Sequence, residues 1–173
     1  ETNGQIDEKL LSKYGLTHNG SVIMSHGKSA HGSKPELGKN AIKPLLEYMN
    51  EVLGGTLTNV IDNLFLDKQG LTKLGNETGY ATLSPDIIEQ TENELIITAD
   101  FRVPAKMNLE KDFLPLFDKM GIKYIAKKSR DPLFVEKDSE IVQALIKAYN
   151  EVTGENAEPE TSSGATFSSV FSK

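Results

Sequence analysis

Residues 78–103 read "TGYATLSPDIIEQTENELIITADFRV", and their reading decides the fold. The run "ELIITADFRV" (94–103) has the β-branched and aromatic composition of a strand and is the strongest such run in the chain. Residues 78–90 alternate enough to be extended, with a break or bend expected at Pro85, which cannot donate to a ladder. Between them Thr91-Glu92-Asn93 is a tight turn, so the two runs predict a hairpin.

Outward from the hairpin, Asn108 predicts the cap of a helix over 109–120 that Gly121 ends, and "IKYIAKK" (122–128) predicts a last strand. Upstream, Leu57, Val60, Ile61, Leu64 and Phe65 have helical spacing over 57–67. Before that, Ser33, Pro35 and Glu36 predict a capping box opening a helix over about 35–53, which stops at Gly54-Gly55 and is kinked or split in two at Pro44. "SVIMS" (21–25) predicts a short strand after an Asn19-Gly20 turn, and residues 5–14 an amphipathic helix with Ile6, Leu10 and Leu11 on one face. The order β-α-β-β-α-β is that of ferredoxin-like sandwiches, an α+β (α/β sandwich) class. We therefore expect a lead-in helix and turn over 1–20, a ferredoxin-like domain over 21–130, and a further piece over 131–173. That piece holds a helix at 138–154, apolar at Ile141, Leu145, Ile146 and Tyr149, then a Ser/Thr/Gly-rich tail.

Composition narrows the function. Net charge is −6, from 19 Lys and Arg against 25 Asp and Glu, which argues against nucleic acid as partner. The densest basic cluster, Lys123, Lys127, Lys128 and Arg130, meets Asp131 at once and reads as a solvated strand end. Mean hydropathy is −0.36 and no apolar run approaches the ~20 residues of a membrane span. The absence of cysteine excludes disulfides, thiolate metal sites and a cysteine nucleophile, and points to a reducing, cytoplasmic setting. A first residue of Glu1 rather than Met, and the close "SSVFSK", lead us to expect a piece of a longer protein.

The histidines are three, His18, His26 and His31, and their spacing fits no usual metal-ligand pattern, so no metal site is expected within the chain. There is no G-x-S-x-G elbow, and Gly27-Lys28-Ser29 fails as a phosphate loop because Val22 stands where glycine is required. His31 and Arg102 remain. Alone, a loop histidine is an ordinary surface residue, and Arg102 serves a structural ion pair as readily as a ligand. Before a capped helix, however, His31 is placed where an anion could bind. An arginine fork is the natural partner of a carboxylate. The pair could recognise a small acidic or peptide-like ligand.

Residues 27–41, "GKSAHGSKPELGKNA", resemble the G-x-x-A-H-[GS]-x-P-x-x-G-x-N-A signature in the lid or dimerisation domain of M20 zinc peptidases. With "DFRVP", "EIVQALIKAYNEVTGENAEPE" and "SSGATFSS", the chain is most similar to the dipeptidase V branch, which cleaves Xaa-His or β-Ala-Xaa dipeptides. The resemblance implies that His31 stabilises the oxyanion of the tetrahedral intermediate and that Arg102 holds the C-terminal carboxylate of a dipeptide substrate. Asn40 matches the signature's asparagine, near substrate but better suited to bracing loop and helix. Ser163, Gly164 and Ala165 align with a glycine-rich substrate-binding segment, often GGGTYAR, of which Gly164 and Thr166 are kept. It also implies zinc held by the rest of the parent, none by this chain, so that the chain alone is inert without its catalytic domain. The rival expectation is a non-catalytic module forming a homodimer in an inactive M20-like protein.

Overall fold

The computed structural model of the protein describes residues 6–125, 132–162 and 164. The hairpin organises it. Strand β5 (Thr82–Gln90) pairs antiparallel with β6 (Leu95–Arg102), Thr82 opposite Arg102 and Gln90 opposite Leu95. The bend expected at Pro85 is a bulge, a register shift between Pro85 and Ile87.

Because side chains alternate across a strand, the hairpin has two different faces. Leu83 and Phe101 lie opposite one another and pack on the core formed by Leu71, Ala81, Phe113 and Met120. Phe101 meets Phe113 and Phe117 edge-on, with centroids 5.1 and 5.6 Å apart. The latter two come from a helical segment that begins with a π-turn over Leu109–Phe113 and continues as an α-helix over Leu114–Met120. The Asn108 side chain caps it by accepting from Lys111 N, and Gly121 ends it in the left-handed conformation.

A second, smaller core joins the N-terminal elements. Helix α1 (Glu8–Tyr14) and the hairpin of β1 (Thr17–Asn19) with β2 (Val22–Met24) meet α2 (Ile42–Val52) around Leu11, Leu16 and Tyr48. Glu51 of α2 ties the helices together by accepting from Lys13 Nζ and from Tyr14 Oη. Helix α3 (Thr58–Leu64) follows, then the short strands β3 (Gly75–Asn76) and β4 (Gly79–Tyr80). In chain order the Leu114–Met120 helix is α4, and α5 (Glu140–Thr153) ends at a left-handed Gly154.

The fold is thus mixed α+β, with differences from expectation in detail. The helix expected over 35–53 is two pieces: a 3-10 turn at Pro35–Leu37, then α2. The break lies at Gly38–Ala41, where Lys39 pairs with Lys28 in a β-bridge, and not at Pro44, which sits in α2's first turn where a missing N–H costs nothing. The capping box at Ser33 does not form, because the Ser33 hydroxyl bonds to His31 and the residue before the turn, Lys34, makes no side-chain cap. β2 pairs with β1 rather than with the large hairpin, and among the described residues every sheet is two-stranded. Residues 122–125 form no strand, and the rest of the strand expected there, with Lys127, Lys128 and Arg130, lies outside the described residues.

Candidate functional site

The outer face of the β5–β6 hairpin carries Thr82, Ser84, Asp100 and Arg102, as the pleat requires once Leu83 and Phe101 face the core. On this face lies the loop of residues 28–39. Its neck is the Lys28–Lys39 bridge, each main-chain N–H donating to the other's carbonyl at 2.9 Å. Two glycines permit so close an approach: a Cβ on Gly27 would lie 2.5 Å from the Lys39 carbonyl, and one on Gly38 2.7 Å from that of Lys28.

Two further ties hold the loop down. Thr82 Oγ1 donates to the Gly32 carbonyl at 3.0 Å. Gly32 Cα rests on Asp100, so closely that a Cβ there would come within 2.9 Å of the carboxylate carbon. At the loop's end Asn40 does three jobs. Its Oδ1 accepts from Ile42 N at 2.8 Å and from Lys43 N at 3.3 Å, capping α2, and its Nδ2 donates to the Pro85 carbonyl at 2.7 Å.

His31 is exposed beside this anchored glycine. Its Nδ1 lies 3.2 Å from Ser33 N and 2.8 Å from Ser33 Oγ. A main-chain N–H can only donate, so Nδ1 is the acceptor and the neutral ring carries its proton on Nε2. The loop therefore presents an N–H donor of fixed tautomer. Arg102 donates from Nη2 and Nε to Asp100 Oδ2, at 2.7 and 3.2 Å, so the carboxylate beneath Gly32 also holds the guanidinium.

The hairpin face thus brings the His31 loop, Asn40 and Arg102 together. Gly164 is exposed, its N–H donating to Ser162 Oγ at 3.1 Å; Ser163, Ala165 and Thr166 lie outside the described residues. Reading the sequence missed Asp100, and took Ser33 for a helix cap rather than the partner of His31. Asp100 had a signal, an acidic residue two before Arg102 and so on the same strand face; Ser33 had one in being two residues from His31. Among the described residues no three His, Asp or Glu side chains come together as a metal site.

No family model matches the chain. Along 97% of its length it is 28% identical to a Staphylococcus haemolyticus protein named "Putative dipeptidase", covering 39% of that protein. Proteins of the same name from Staphylococcus saprophyticus and Staphylococcus aureus strain MW2 are each 27% identical over 88% of the chain, covering 35% of their own length. The chain is thus similar over most of its length to proteins named for dipeptidase activity, and spans between about a third and two fifths of their length.

Proposed function

We propose that this chain is the lid portion of a metal-dependent dipeptidase of M20 type, with a short return into the catalytic domain over 131–173. The observation that carries the reading is the His31 loop, pinned at its neck, at Gly32 and at Asn40, with its histidine held as an Nε2–H donor. When water adds to a peptide carbonyl, the oxygen gains negative charge, and a pre-oriented N–H directed at it stabilises that state more than the ground state. Such a donor is commonly worth about 10²–10³ in rate.

Arg102 takes the peptide's C-terminal carboxylate in this reading, its guanidinium oriented by Asp100, which limits the substrate to short peptides. Asn40 acts through the loop it braces, and the segment of Ser163, Gly164 and Ala165 supplies backbone alongside the substrate. In this reading zinc, and the water it activates, are held by the rest of a longer protein, while this chain contributes the His31 donor and the Arg102 fork.

The test is hydrolysis of a dipeptide panel with added zinc by the longer protein, beside the 173-residue chain. Turnover is expected in the longer protein alone. There, His31→Ala lowers kcat by about 10²–10³ with KM little changed; unchanged kcat would overturn the role of His31.

One observation favours a second reading, a non-catalytic association module. Ile141, Leu145 and Val152 of α5 are 63%, 65% and 87% exposed. Four-residue spacing places Ile141 and Leu145 on one helix face, an apolar surface open to a partner. A tight dimer by sedimentation, without peptide turnover in the longer protein, would select that reading.

A further inference from the structure

Residues 28–43 hold four lysines against a single glutamate, in a chain of net charge −6. Two of those lysines, Lys28 and Lys39, are opposed directly across the loop neck. Directly opposed residues of an antiparallel pair project to the same face, and like charges so placed repel. The opposition is built into the backbone, because Gly27 and Gly38 bring the two segments into contact and their carbonyls leave no room for side chains there. Both lysines are exposed, and among the described residues neither they nor Lys34 form an ion pair. Lys28 is three residues from His31, so their Cα atoms are at most about 10 Å apart.

We propose that Lys28 and Lys39 form a cation pair that takes the side-chain carboxylate of an acidic residue in the peptide presented to His31. This rests on the dipeptidase reading and adds a substrate class to it. A carboxylate set between two opposed ammonium groups replaces their repulsion with two charge-assisted contacts. An ammonium is a flexible point charge rather than a planar fork, so the pair distinguishes acid from amide and is nearly indifferent to Asp against Glu.

Two readouts separate this proposal from the reading beneath it. The first is turnover by the longer protein of Ala-Glu against Ala-Gln. Its ratio of kcat/KM is expected to favour Glu and to fall about fivefold in a Lys28→Gln/Lys39→Gln double variant, the scale of exposed ion pairs. High salt closes the gap in the wild type, and the Lys28→Arg/Lys39→Arg variant keeps it. The second is binding to the full 173-residue chain, read by NMR at the two lysine side chains with N-acetylglutamate and N-acetylglutamine as probes. Selective shifts with the glutamate probe support the site even where neither dipeptide is cleaved, an outcome that would sink only the dipeptidase reading. Equal turnover of both dipeptides by the wild type, or equal shifts with both probes, overturns the cation pair.

Discussion

At the scale of single residues, the site depends on one contact where a side chain is forbidden and one where a side chain is indispensable. Gly32→Ala would drive a methyl group into the Asp100 carboxylate, which Arg102 holds in place. We expect a loss of about 1–3 kcal/mol in urea unfolding. The loss should shrink in an Asp100→Ala background, so that a double-mutant cycle reports the coupling; additive losses would show that the loop does not rest on Asp100. Asn40 makes the opposite case. Asn40→Ala removes both the α2 cap and the bond to Pro85, whereas Asn40→Asp keeps the capping oxygen and loses only the donor. The alanine variant should be the less stable by about 1 kcal/mol, the usual worth of a cap. His31 and Arg102 stood out in the sequence, but their partners did not. Hydroxyl and carboxylate partners are chosen by the path of the chain in space, and Ser33 had two candidates, a helix N–H ahead and an imidazole behind.

Among the elements, α1 is fastened to the β1–β2 hairpin by His18. Its Nδ1 lies 3.1 Å from the Gly20 carbonyl and its Nε2 2.8 Å from Glu8 Oε1, and neither oxygen can donate. Only the imidazolium, with a proton on each nitrogen, satisfies both. The Gly20 carbonyl first, with Glu8 adding to it and desolvation opposing, raises His18 above the usual imidazole value. A folded-state value above the unfolded one, about 6.5, means that the stabilisation is complete below that pH and is lost as pH rises through the folded value. The urea midpoint of the wild type should therefore exceed that of His18→Gln at pH 5.5, with the difference closing toward pH 8.5. A difference that widened with pH would refute the latch. Helix ends were the most legible elements, since Asn108, Gly121 and Gly154 act through their own backbone neighbours. The 35–53 helix was misread for the opposite reason: its break is made by Lys28, eleven residues before Lys39, and no local pattern records that pairing.

Across the whole molecule, one side chain stands out among the described residues in holding the C-terminal segment. Lys106 pairs with Glu77 at 3.3 Å and Glu136 at 3.0 Å, and lies 4.4 Å over the Phe134 ring, while Thr161 Oγ1 donates to the Thr78 carbonyl at 3.1 Å. Lys106→Ala should speed amide exchange and proteolysis across residues 132–137 and leave the β5–β6 hairpin unchanged; equal exchange would mean that the clasp holds nothing. The α+β class was legible from the hairpin and helix periodicities. The pairing of β2 with β1 was not, because three residues can join either neighbour and packing chooses. The bulge between Pro85 and Ile87 has a practical consequence. Thr82 and Asn40 grip the hairpin below it, while the turn at Thr91–Asn93 lies beyond it at the far end. That turn is a natural port: a dye, an epitope or a few inserted residues can be grafted there as a reporter, leaving the working end of the hairpin in register.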